Sequence, residues 1–226
     1  MLAIDVGNSR VKAAVFRDGV AGPLAAWSHD EPPEWPDETP HRIVIGSVVP
    51  EVTERLVERF PTGWPMPFVP TPSDFDISLD VERPDAVGVD RVANAAAAIR
   101  RAGPDCVVVD AGTATTVDLV RGGVFRGGAI LPGVQLMADS LTKRTALLPA
   151  IRMHERSHDN LPGRDTVEAI AAGVAAGHRG AVAEVVRQMA YGDVSLLVCG
   201  GAAPKVDLPV AEVVPTLTLE GLAAVR

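Results

Sequence analysis

The sequence predicts an α/β protein made of two similar domains that face one another. Apolar strand-like runs alternate along the chain with segments of helical period. Two of those runs end in the same device. "LAIDVGNSRVKAAVF" and "VVVDAGTATTVDLV" each read apolar strand, Asp, small residue, Gly, polar residue, second strand. The copies at Asp5 and Asp110 lie half a chain apart in 226 residues, and further α/β material follows each, so residues 1–103 and 104–226 are the expected domains.

The elements follow in order. Leu2 to Ile4 and Val11 to Phe16 flank the turn Asp5-Val6-Gly7-Asn8-Ser9, a hairpin signature closed by Asp18-Gly19. Residues 30 to 40, "DEPPEWPDETP", are acidic and proline-rich and predict a loop. Ile43 to Val49 predicts a buried strand, and Pro50 opens a helix over residues 51 to 60. Small apolar residues at helical spacing predict a helix from Asp90 to Arg101, stopped by Gly103-Pro104. The second strand–turn–strand device follows, with a turn near Arg121-Gly122-Gly123. "GGAILPG" leads into a helix that carries Val134, Met137, Leu141 and Leu148. Residues 149 to 164 predict an extended loop. Asp165 caps a long helix running to Ala190, with Glu168 three residues on, and Ser195 to Val198 is a strand.

Bulk properties narrow the function classes. A net charge of −8 with no cluster of Lys and Arg lacks the electrostatic footprint of a nucleic-acid binder. No apolar run approaches the length of a membrane span, and the start Met-Leu-Ala-Ile-Asp has no basic region of the signal-peptide kind. Cys106 and Cys199 sit in apolar runs, where free buried thiols are the expectation. A cytoplasmic protein without nucleic-acid or membrane partners is therefore expected. Any anionic ligand must be held locally, by backbone amides, a few cations or a metal.

The paired turns suit such a ligand. Gly7 and Gly112 let backbone amides approach closely, and Asn8, Ser9, Thr113 and Thr115 add polar groups. An Asp at a strand end can hold a cation, which offsets phosphate charge. A lone turn of this type is most simply a tight hairpin; its duplication points to two jaws on one polyphosphate. No Gly-x-x-x-x-Gly-Lys-Ser/Thr pattern occurs, so the grip is of another design.

The turns resemble those of the superfamily of acetate and sugar kinases, heat-shock ATPases and actin. Within it the chain resembles type III pantothenate kinases along its length, through "IDVGNSRVK" at 4 to 12, "GSVVP" at 46 to 50, "GVDR" at 88 to 91, "DAGTATTVD" at 110 to 118, "GGAILPG" at 127 to 133, "TALLP" at 145 to 149 and "DTVEAIAAG" at 165 to 173. The resemblance implies two ribonuclease-H-like, actin-like ATPase domains with a ligand cleft between them, and phosphorylation of pantothenate by ATP. It implies that Asp5, Val6, Gly7, Asn8, Ser9, Arg10, Val11 and Lys12 contact ATP, with Asp5 near magnesium, and that Thr113 also touches the nucleotide. Asp110 matches a site for a monovalent cation, potassium or ammonium. Asp90 matches the proton acceptor, and Gly88, Val89, Arg91 and Thr166 match substrate contacts. From the residues alone, Asp90 reads as a carboxylate satisfying helix-start amides beside a surface Arg, and only the resemblance gives it the proton-acceptor role; Thr166 reads equally as a first-turn hydroxyl. A homodimer is implied too, with the helix from Gly133 to Leu148 as a candidate interface.

Departures from the family pattern are Val81 where a substrate-contacting Tyr is common, Cys199 where Thr is usual, and Ser9 for the commoner Thr. "HERSH" at 154 to 158 fits the His-Glu-x-x-His zinc pattern, but Pro149, Pro162 and Gly163 around it predict a polar loop. Two competing readings stand beside the kinase: a non-catalytic transcriptional accessory factor of the same fold, and a kinase for another small alcohol.

Overall fold

The computed structural model describes residues 1–153, 161–209 and 211–225, so "HERSH" lies outside the described residues. Two compact units form: Met1–Cys106 with Val120–Gly127 and Thr216–Arg226, and Val107–Leu119 with Gly128–Pro215.

In the first unit β1 (Leu2–Val6) is central. It pairs antiparallel with β2 (Arg10–Arg17), which sets Asp5 opposite Lys12, and parallel with β5 (Ile43–Ser47), which sets Asp5 opposite Gly46. The short β3 (Val20–Ala21) and β4 (Ala25–Ser28) both add to β2. Alternation along the strands separates two cores. Leu2, Ile4, Val11 and Ala13 pack with Ile43, Ile45 and Trp27 against Val52 and Leu56 of α1 (Pro50–Glu58). On the other face, Ala3, Ala14 and Val44 meet Val92, Ala93 and Ala96 of α2 (Val89–Ala102) and Leu219 and Leu222 of α5 (Leu217–Ala223). Asp5, two residues beyond Ala3, therefore belongs to the face that α2 covers.

Most of β7 (Cys106–Ala111), β8 (Ala114–Arg121) and β9 (Val124–Pro132), with β10 (Ser195–Cys199) and β11 (Glu212–Val213), belongs to the second unit, in the sheet order β11-β10-β7-β8-β9; Val120–Arg121 of β8 and Val124–Gly127 of β9 belong to the first. The short β6 (Ser78–Leu79) pairs in parallel with the start of β9, a pairing inside the first unit. Val107, Val109 and Ala111, one face of β7, pack with Val182 and Val186 of α4 (Thr166–Met189). Upstream on α4, Ile170, Ala171, Val174 and Ala175 meet Val134 and Ala138 of α3 (Val134–Arg144). The duplication is visible in the connectivity: β2-β1-β5 and β8-β7-β10 are the same hairpin with a later strand beside its first member.

Two sequence expectations are corrected. Residues 124 to 132 are a strand and not merely a lead into a helix. That helix ends at Arg144 and does not reach Leu148, because Thr145 turns extended and its hydroxyl donates to the carbonyl of Leu141 at 2.8 Å, satisfying a terminal acceptor. Cys106 and Cys199 are free and buried, and burial, with Asp105 adding to it, pushes the Cys106 thiol up to about 11.

Candidate active site

The first turn is closed by its own backbone. The Gly7 amide donates to the Arg10 carbonyl at 3.0 Å, and the Gly7 carbonyl accepts from Nε2 of His29 at 2.9 Å. Val6 and Val11 are buried and hold the two strand ends in the core, which leaves Asn8, Ser9 and Arg10 exposed at the tip. Asp5 and Lys12, directly opposite in the antiparallel pair, share one face of the sheet, so a half-buried carboxylate and a half-buried ammonium flank the base of the turn.

At the N-terminus of α2, Gly88 is the cap residue and Asp90 sits in the first turn. The Asp90 carboxylate accepts from the amide of Arg91 at 2.8 Å, and a Cβ at Gly88 would lie 2.5 Å from Asp90 Oδ1. The helix therefore starts with a carboxylate folded over the Arg91 amide in its first turn, a favourable place for negative charge. The guanidinium of Arg91 lies 5.5 Å from the ring centroid of Phe125, a fully buried side chain on β9. That contact orients the fork through a cation–π attraction. Next along β9, Arg126 pairs with Asp80 and Val81 packs beside Gly127, so the position of the Val81 departure is two residues from the ring that supports Arg91.

In the second unit the Gly112 amide donates to the Ala114 carbonyl at 3.0 Å, the amide of Gly133 to the Thr113 carbonyl at 3.0 Å, and the amide of Ala202 to the Ala111 carbonyl at 2.9 Å. The turn is thus fixed from the start of α3 and from the segment after β10. Gly200, at φ +90°, presses on it: a Cβ there would lie 2.5 Å from Asp110 Oδ1 and 2.4 Å from the Ala111 carbonyl oxygen. Asp110 is half-buried, and Gly112 and Thr113 are exposed. Behind the turn, Thr115 Oγ1 meets Nε2 of His178 at 2.9 Å; both are fully buried, and burial lowers the imidazole pKa. Sequence reasoning misses His29, His178 and Gly200, because each reaches its turn from a distant segment.

Thr166 is the first residue of α4 and is exposed. Its neighbour Asp165 caps the helix by accepting from the Glu168 amide at 2.8 Å, and the Glu168 carboxylate accepts in return from the Arg164 amide at 2.9 Å. Thr166 also lines an apolar groove of about 880 Å³ between α3 and α4, with Leu136, Met137, Leu141, Ile170 and Val174.

Asp5, Lys12, Asp90 and Arg91 belong to the first unit, and Asp110, Thr113 and Thr166 to the second. Among the described residues, no group of three or more His, Cys, Asp or Glu side chains could hold a metal ion, and no helix is long and apolar enough to cross a membrane. A single carboxylate beside a turn of exposed polar residues, as at Asp5, nevertheless fits magnesium, which takes one or two carboxylates and completes its shell with substrate phosphates and water. At the second turn the Asp110 carboxylate and the Ala111 carbonyl oxygen both face Gly200, oxygen donors of the type a cation takes.

Comparison with known proteins bears on the family and the fold. A protein of Rubrobacter xylanophilus named type III pantothenate kinase is 30% identical over 98% of this chain and 95% of its own length. One of the same name from Akkermansia muciniphila is 37% identical over 79% of this chain and 75% of its own. Among solved structures, a Campylobacter jejuni protein described as a Baf family transcriptional activator matches 100% of this chain and 96% of its own with a TM-score of 0.64 at 20% identity. The ethanolamine utilization protein EutJ from Carboxydothermus hydrogenoformans matches 100% of this chain and 89% of its own with a TM-score of 0.54 at 15% identity. These structures share the two-sheet α/β fold with this chain. A family model described as type III pantothenate kinase matches residues 1–188. The model's span and the near-complete alignment with the Rubrobacter protein lead to one conclusion: the chain belongs to the type III pantothenate kinase family.

Proposed function

We propose that this chain is a pantothenate kinase, which transfers the γ-phosphoryl group of ATP to the primary hydroxyl of pantothenate and yields 4'-phosphopantothenate, the first step of coenzyme A biosynthesis. The observation that carries the reading is the start of α2, where a half-buried carboxylate at Asp90 stands beside the ring-supported guanidinium of Arg91 in a chain of this family.

Phosphoryl transfer asks for little covalent chemistry from the protein and much positioning. Asp90 accepts the proton of the pantothenate hydroxyl as its oxygen bonds to the γ-phosphorus and the bond to the β-phosphate oxygen breaks, releasing ADP. Arg91 binds an anionic group of the substrate or the phosphoryl in transit, and its planar fork suits both. Gly88 and Val89 bring the backbone close to pantothenate, and the Thr166 hydroxyl supplies a further contact. Residues 5 to 12 and Thr113 hold the ATP phosphates through turn amides, hydroxyls and the Lys12 ammonium. Asp5 would hold magnesium brought with ATP, which would offset the phosphate charge, and Asp110 would hold potassium or ammonium.

The apolar groove beside Thr166, with Leu136 exposed on α3, supports a homodimer that covers it. Two free thiols suit a reducing cytoplasm. Val81 in place of a substrate-contacting Tyr favours a second reading, a kinase of this fold for another small alcohol. Incubation of the purified chain with ATP, magnesium and pantothenate, with and without potassium, tests the proposal. Formation of 4'-phosphopantothenate and ADP is the expected result. ATP binding without that product, or product only from other alcohols, overturns it.

A further inference from the structure

His29 meets the carbonyl of Gly7 through Nε2 at 2.9 Å. A carbonyl oxygen only accepts, so Nε2 carries the proton and donates. The approach is built in by the sheet: β4 pairs with β2 so that Ser28 stands opposite Arg10, which delivers the residue after Ser28 to the flank of the turn. The chain there is braced locally. The Ser28 amide donates to the Glu31 carboxylate at 2.6 Å, and the Glu31 amide returns a bond to the Ser28 carbonyl at 3.2 Å. His29 is thus presented from a closed turn rather than from a loose loop.

The geometry of the peptide unit gives this bond its consequence. In a planar trans peptide the carbonyl and the following amide point in opposite directions. Holding the Gly7 carbonyl against His29 therefore aims the Asn8 amide away from His29, in a turn whose residues Asn8, Ser9 and Arg10 are exposed. Glycine at position 7 lets this peptide rotate with little steric resistance. A flipped peptide would present the carbonyl oxygen at the tip, where an anion meets repulsion instead of a donor.

We infer that His29 is a positioning residue that locks the Gly7–Asn8 peptide with its amide facing the ATP phosphates. The inference rests on the assignment of residues 5 to 12 to those phosphates. It does not depend on the acceptor alcohol.

The test compares wild type with His29→Phe, which keeps a ring and loses the donor, and His29→Gln, whose side-chain amide can reach the same carbonyl. His29→Phe should raise the KM for ATP and the Kd for ATP in titration calorimetry roughly five- to tenfold, the loss expected of one hydrogen bond. Its kcat and its KM for pantothenate should stay within about twofold of wild type, and His29→Gln should recover most of the ATP affinity. Unchanged ATP affinity in His29→Phe overturns the inference. So does an equal loss in both variants that also reaches the pantothenate KM, since a general loosening of the fold would do that. Wild type that binds ATP but leaves pantothenate unphosphorylated removes the kinase assignment, and the Kd comparison then decides the His29 lock by itself.

Discussion

Gly200 stands against the carboxylate of Asp110, so that a Cβ at position 200 would lie 2.5 Å from Oδ1, and its φ of +90° is one that L side chains rarely adopt. Position 200 is therefore closed to other residues for two separate reasons. Gly200→Ala should lower stability by more than about 1 kcal/mol from backbone strain and crowding together. In thermal unfolding this appears as a midpoint several degrees below wild type. Asp110→Asn is the complementary change, isosteric and free of that clash. It should leave the midpoint close to wild type and abolish the dependence of turnover on potassium, measured as rate against potassium concentration.

Burial of His178 makes stability depend on acid. Its pKa is lowered by desolvation, so below the ordinary imidazole value of 6.5 the unfolded chain takes up a proton that the folded chain refuses. Stability is full above that value and falls as the pH drops through the window beneath it. The unfolding midpoint of wild type should decline from pH 6.5 to 5 more steeply than that of His178→Gln. Thr115→Val, which keeps the shape and removes the hydroxyl that His178 meets, should cost about 1 to 3 kcal/mol in denaturant unfolding at pH 7.5.

What was legible in the sequence is what local chemistry decides. The two aspartate turns show because an apolar strand, a glycine and a polar tip are contiguous, and the start of α2 shows because Gly88 and Asp90 precede a helical run of small residues. β9 does not show, since its paired glycines and closing proline carry no strand pattern and read only as a lead into a helix, while its support comes from its pairing with β8. α5 is hidden for a related reason: it has seven residues, and Leu217, Thr218, Leu219, Gly221 and Leu222 are all buried, so no period marks a face. His29 and Gly200 escape because their contacts with Gly7 and Asp110 exist only once the strands are paired. The long helix from Asp165, by contrast, is predicted to within a residue at its start because its cap is local.

That cap also sets Thr166. Asp165→Ala removes the acceptor of the Glu168 amide and should cost about 1 kcal/mol of stability. Fraying the first turn of α4 also displaces the Thr166 hydroxyl. Steady-state kinetics should therefore show a raised KM for pantothenate with the KM for ATP near wild type.

The central claim is that Asp90 takes the proton of pantothenate during phosphoryl transfer. Asp90→Asn tests it most directly, because asparagine keeps an oxygen to accept from the Arg91 amide and so preserves the start of α2. Turnover of pantothenate by this variant, measured with ATP binding as the control for an intact nucleotide site, should fall by roughly a hundredfold or more while ATP binds as in wild type. Turnover within about twofold of wild type would contradict the account.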